Sequence, residues 1–369
     1  MPWTANRLLD LDAGIGEVRS TIRWELLDST LTVIGELQPD RSRMSIQNNP
    51  DGRIPRTLRG FELSADQAND IDLYQDRVRP SWVFEDGASF PAGVFVFHQP
   101  ERLLASWESP LTAGMRDQWH VLDQQIPTSV GLPRAGLVAV ALRRIVLDAG
   151  FDEPVIADSD IRVGDPIVWP AGTQHRRIVD ELCELAGFAR AYFDNRGVFT
   201  AGPLPTLEAG PDVFPYDTGP RDAGVDAPRT RIYRDTPVVS QAPDHPGAHL
   251  VISSGGTTGD ISAIGYVDPS WPWSPERRGY LVLETHRIQG IESTGQAQRL
   301  ADEFAGATPD QALSFTGPPD PRHDTYEIIR FGDRGDLYRE SGWRLDLEPG
   351  GKHSHTLTRP EPTTTEDDR

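Results

Sequence analysis

Several things are scarce in this 369-residue chain, and each scarcity removes a class of function. There is one cysteine, Cys183, so no intrachain disulfide framework can form. Cys183 lies among apolar residues at helical spacing, where a free thiol packs as a small hydrophobe. Apolar runs are short; GLVAVAL at 136–142 is far below the roughly 20 residues of a membrane helix. The start, MPWTANRLLDLDAG, has no apolar stretch of signal-peptide length, which leads us to expect an intracellular product. Of 36 basic residues only Lys352 is a lysine, and the formal net charge is −20. A chain this acidic has no global basic stripe for gripping nucleic acid, and is compatible with a surface past which DNA slides without sticking.

Catalytic signatures are equally sparse. There is no Gly-x-Ser-x-Gly elbow. SSGGTTGD at 253–260 lacks the lysine of a phosphate loop and opens no helix, and DAGIG at 12–16 lacks strand-turn-helix context. His353 with His355, and His245 with His249, could chelate a metal, but neither pair has a third ligand at recognisable spacing. Solvated or structural histidines are therefore expected, with no metal and no cofactor. Asp158 with Asp160, and Asp367 with Asp368, are paired carboxylates in stretches expected to be wet. Glycoside hydrolysis needs one carboxyl held in surroundings that raise its pKa. No catalytic residue is assigned.

What is present is turn and strand. Proline (32) and glycine (34) are abundant and helical patterns few, so most of the ordered chain should be strand joined by turns. The clearest unit is WPAGTQHRRIVDELCELAGFARAYFDNRGVFTAGP, 169–203. Thr173 is placed to cap a helix over about 174–186, with Ile178, Val179, Leu182, Cys183 and Leu185 on one face and Gly187 as its stop. A hairpin at 189–201 follows, with Asn195, Arg196 and Gly197 where positive φ angles would be needed.

Around that unit we expect a first β domain over 1–120, with alternating strands at 20–47, a turn at 48–52, and two strands about Asp86-Gly87. Gly93 there marks a close approach or a bulge. An α+β insert should occupy 121–205, adding a helix at about 135–149 that ends at Gly150. A second β domain should run over 206–360 with a helix at about 294–305, the domains being open to discontinuity along the chain, followed by an acidic disordered tail at 361–369. The fold class is thus mainly β with α+β insertions: two antiparallel barrels or sandwiches plus a helix-hairpin insert. In the proline-stiffened loop DPSWPWSP, Trp271 and Trp273 are candidate contact residues, since rigid aromatics anchor protein or sugar partners.

Four segments in this order carry a resemblance: RVRPSWVFEDGASFPAGVFVF, LRRIVLDAGF, the 169–203 unit, and YEIIRFGD…GWRLDLEPGGKHSHTLTRP. Over roughly 20–360 the chain resembles the hub proteins of phage tail tips, minor tail proteins of siphophages related to the central baseplate hub of contractile tails. The resemblance implies two tube-like β-domains, and a homotrimeric ring that adapts a six-fold tail tube to a three-fold tip. It implies a virion location at the tail tip. The implied partners are the tail tube or distal tail protein, the tape-measure protein, tip or fibre proteins, and DNA in transit without specific binding. It also implies a structural role without catalysis. Some relatives carry a cell-wall-cleaving domain after the hub; none is expected here. Two further readings stand beside it, a β-rich adhesion module acting through Trp271 and Trp273, and a glycoside hydrolase.

Overall fold

The computed structural model describes residues 20–40, 44–50, 52–84, 87–101, 110–207, 213–217, 231–232, 238–240, 245–256, 259–307, 311–317, 319–331, 336–347 and 351–359. The chain is mainly β, in one large sheet and three small ones.

The first unit holds β1 (Ser20–Leu27), β2 (Val33–Leu37), β3 (Ser45–Asn48), β4 (Arg56–Leu63), the short helix α1 (Ala65–Asn69), β5 (Arg77–Phe84), β6 (Ser89–Pro91), β7 (Phe95–Glu101) and β8 (Leu111–Asp117). They pair antiparallel in the order β3-β4-β8-β7-β5-β1-β2, with β6 on β5. Alternation in the sequence becomes sidedness: in β8, Leu111, Ala113 and Met115 face inward while Thr112 and Gly114 are exposed. Trp24, Phe61 and Phe97 meet at the centre, with ring centroids 5.7 and 6.0 Å apart.

The insert holds α2 (Trp119–Leu122), β9 (Val130–Leu132), α3 (Val138–Asp148), β10 (Val155–Ile156), β11 (Ile167–Trp169), α4 (His175–Ala186), β12 (Tyr192–Phe193) and β13 (Phe199–Ala201). On α4 the stripe Ile178, Val179, Leu182, Cys183 and Leu185 is buried, and Gly187 ends the helix at φ 71°. Two local details differ from expectation. Gln174 is the N-cap of α4, and the Thr173 hydroxyl instead donates to the Pro170 carbonyl at 2.7 Å. In the hairpin between β12 and β13 only Gly197 takes a positive φ, 86°; the Asp194 carboxylate accepts from the backbone N–H groups of Arg196 and Val198 and so shapes the turn without positive φ at Asn195 or Arg196.

The remaining strands are β14 (Phe214–Asp217), β15 (Arg231–Ile232), β16 (Val238–Ser240), β17 (Ala248–Gly256), β18 (Gly259–Tyr266), β19 (Leu283–Arg287), β20 (Gln311–Gly317), β21 (Ile328–Phe331), β22 (Asp336–Asp346) and β23 (His353–Arg359). The helices among them are α5 (Pro275–Arg278) and α6 (Thr294–Ala307). These strands fall into two sheets. β17, β18 and β19 form a separate three-stranded sheet. Val251, Ile261, Ala263, Ala297, Leu300 and Ala301, from this sheet and α6, share one apolar core with Ile178, Val179 and Leu182 of the insert. Apolar faces on both segments are what draws them together across the intervening β-strands.

The second β-unit therefore comprises β14, β15, β16, β20, β21, β22 and β23, in which β14 runs parallel to both β15 and β21 while the other pairings are antiparallel. It continues the first unit directly: β22 pairs antiparallel with β3, from Trp343 opposite Asn48 to Asp346 opposite Ser45.

Candidate functional site at the junction of the two β-units

Where β22 meets β3, the loop between β20 and β21 folds over the seam with the sequence Asp320-Pro321-Arg322-His323-Asp324-Thr325. Asp324 accepts from Arg56 Nη2 of β4 at 2.7 Å and from the backbone N–H of Asn195, in the insert hairpin, at 2.8 Å. Arg56 Nη1 donates to Asn195 Oδ1 at 2.7 Å, and Asn195 Nδ2 donates to the His323 carbonyl at 2.9 Å. Trp343 Nε1 donates to the Asp324 carbonyl at 2.8 Å, and the Arg56 guanidinium lies 5.3 Å from the Trp343 ring centre. One ion pair thus ties the first unit, the insert and the second unit. The Arg56 side chain is only 2% exposed, so its charge depends on these partners.

Two glycines let the hairpin approach. The Gly93 N–H donates to the Asn195 carbonyl at 3.0 Å, and with φ 121° a Cβ there would press on Arg56 Cδ at 3.1 Å. A Cβ on Gly197 would meet Val94 Cγ2 at 2.7 Å. Beneath Arg56 lies Asp117, buried, accepting the Arg56 and Trp119 backbone N–H groups. Burial pushes its carboxyl up to about 7, against the opposing pull of Arg56.

A second polar cluster backs the loop. Glu340 of β22 receives His323 Nδ1 at 2.9 Å and His355 Nδ1 at 2.6 Å, one on each carboxylate oxygen. The Tyr216 hydroxyl bridges the far nitrogens, 2.9 Å from His323 Nε2 and 3.4 Å from His355 Nε2. All four side chains are buried, and burial holds the Glu340 carboxyl well above its ordinary range. Among the described residues the four side chains form a hydrogen-bonded ring. It fixes loop against sheet.

No protein-family model and no curated protein matches the chain. Solved structures do. A tail protein from Neisseria meningitidis superposes with a TM-score of 0.61 at 12% identity, over 92% of this chain and 97% of that one. The 43 kDa tail protein of prophage MuSo2 from Shewanella oneidensis gives 0.58 at 10% identity, over 93% and 99%. The chain has the fold of phage tail proteins. A chain of the Francisella PdpA–VgrG complex, half-lidded, gives 0.52 at 10% identity over 98% of this chain and 63% of that one.

Within this tail-protein fold the residues singled out in the sequence take up different roles. Trp271 and Trp273 turn inward, 5.3 Å apart, and bury with Val267 and Ala305; they are not exposed anchors. His353 and His355 share a strand face as expected, but that face is the interior of the second unit, so they are buried rather than solvated. His355 gains its partners from residues far away in sequence, Glu340 and Tyr216, which spacing along one strand could not reveal. His245 and His249 do not pair: His245 lies against Trp273, while His249 faces Glu284 and His286. Asp158 and Asp160 are exposed. Cys183 is buried, its thiol pushed up to about 12 chiefly by burial. Asp367, Asp368, the 12–16 stretch and the tail lie outside the described residues. Sequence reasoning missed the Arg56–Asp324 pair; its one signal was an arginine and an aspartate beside turns rich in proline, a signal shared by many surface positions.

Proposed function

We propose that this chain is a structural, non-enzymatic protein of a phage-type tail: the hub at the distal end of the tail tube. The observation that carries this reading is the junction itself. Two β-units are continuous through β22 and β3, and the ion pair of buried Arg56 with half-buried Asp324 locks the loop over that seam to the insert. A chain with two β-units fixed edge to edge can supply two of the six positions under a six-fold tube, so a ring of three chains completes it. The coverage of 92% of this chain and 97% of the Neisseria tail protein supports the same reading.

In this role the ring closes the tube's lower end, seats the tape-measure protein, carries tip or fibre proteins and lets DNA through. The formal net charge of −20 supports passage without adhesion, because a negative lumen repels phosphate. Burial of Trp271 and Trp273 withdraws the feature that favoured an adhesion module. The polar clusters with a raised carboxyl, Asp117 and Glu340, are enclosed in the fold and act as structural groups. Immunogold labelling of purified particles tests the placement: gold at the distal tail end supports it, and gold along the tube or at the head overturns it.

A further inference from the structure

A second histidine–carboxylate group sits in the other half of the molecule and belongs to no part of the tail-hub reading. β17 and β19 run parallel, with His249 opposite Glu284 and Val251 opposite His286. Glu284 and His286 are two apart on one strand, so both fall on the face that carries His249. His249 Nδ1 and His286 Nε2 are 3.1 Å apart, and His249 Nδ1 lies 3.7 Å from Glu284 Oε2. All three potential ligand atoms lie within 4.8 Å of one another. Two nitrogens bound to one tetrahedral zinc ion at ~2.0–2.1 Å are roughly 3.4 Å apart, so the observed spacings bracket the edge of such a site.

We propose that His249, Glu284 and His286 bind a divalent first-row transition-metal ion such as Zn2+. The surroundings match what a metal site needs. The second nitrogen of His286, Nδ1, faces Glu184 Oε1 of α4 at 3.5 Å, an outer carboxylate that orients the ring and fixes which nitrogen points inward. Phe304 of α6 stacks on His286, with centroids 4.0 Å apart and planes 15° from parallel, and holds its plane. Exposure is graded: the side chains of His249, His286 and Glu284 are 6%, 16% and 55% exposed. The carboxylate therefore stands at the mouth, where an ion enters and where water completes the coordination. Two imidazoles and a carboxylate suit Zn2+, Co2+ or Ni2+ over Mg2+ or Ca2+. The His323–Glu340–His355 ring differs: its inner nitrogens already sit at 2.6 and 2.9 Å from the carboxylate, and the cluster is buried throughout.

The ion's role is mechanical. It bonds β17 to β19 and, through Glu184, secures that sheet to α4 of the insert, where the shared apolar core already joins them.

The test uses the untagged full chain, stripped with chelator, and titrated with Zn2+ by calorimetry and with Co2+ by visible absorption. One ion per chain is expected, with ligand-field bands of Co2+ that carry nitrogen ligation. His286→Gln should weaken binding by more than roughly a hundredfold, and Glu184→Gln by roughly ten- to a hundredfold, as losses of outer partners do. Glu284→Gln alters an exposed side chain, keeps the fold, and should weaken binding at least about tenfold. His245→Gln, outside the group, should change nothing. Failure of the wild-type chain to bind a stoichiometric ion at micromolar concentration, or unchanged affinity in Glu284→Gln and folded His286→Gln, overturns the proposal. Neither result touches the tail-hub reading.

Discussion

Replacing Asp324 by alanine removes the acceptor that Arg56 meets at 2.7 Å and that the Asn195 N–H meets at 2.8 Å. Arg56 cannot turn to water, since its side chain is 2% exposed, and it cannot lose its proton. Stranding one partner of a buried pair costs about 3–5 kcal/mol. Asn195 Oδ1 and the Trp343 ring stay in place beside the guanidinium, which argues for about 3 kcal/mol; the orphaned amide of Asn195 adds about 1 kcal/mol. The expected loss is therefore about 4 kcal/mol. Urea unfolding of the purified chain measures it. The companion variant Arg56→Met with Asp324→Leu removes both charges and should recover at least about 2 kcal/mol relative to the sum of its single substitutions. If Asp324→Ala costs less than about 1 kcal/mol, the magnitude of an exposed pair, the junction is not held by this contact and the reasoning fails.

Asp117, at about 7 when folded against an ordinary 3.8, binds its proton more tightly in the folded state. Its stabilising contribution is full below the unfolded value and is lost as pH rises through the folded one. Stability of the wild-type chain should therefore fall relative to Asp117→Asn between about pH 4 and about pH 7, by calorimetric midpoint; a parallel pair of profiles contradicts this. Gly197→Ala should cost about 1–3 kcal/mol, because φ is 86° and the new methyl meets Val94 Cγ2 at 2.7 Å; limited proteolysis should then cut the 189–201 hairpin faster. Trp273→Ala should destabilise the unit around α6 by about 3–5 kcal/mol in thermal unfolding, whereas an exposed contact residue would leave the midpoint unchanged.

Local signals in the sequence led to correct elements where the cause was local. The α4 stripe from Ile178 to Leu185 is buried because helical periodicity alone decides which face packs, and Gly187 ends the helix because it alone adopts the left-handed angle without strain. Gly93 likewise marked a close approach, and the structure shows the neighbours to be the Phe95 ring and the Arg56 side chain. What was not legible depends on long-range pairing. β17 to β19 alternate like any other strands, and nothing in their pattern says that they leave the second sheet and share a core with α4. The same holds for the sites. His353 and His355 were visible as a pair, but their burial and the approach of Glu340 follow from the register Trp343 opposite His355. Trp271 and Trp273 were visible as a rigid aromatic loop; whether such rings face out or in is decided by the presence of Val267 and Ala305, not by the loop's prolines.

The central claim is that each particle carries a single ring of this chain at its tail tip. Quantitative mass spectrometry of density-purified particles, scaled to the major tube subunit, tests it most directly. Close to three copies per particle is the predicted result. Complete absence from intact particles, or a copy number matching the tube subunit, would contradict it.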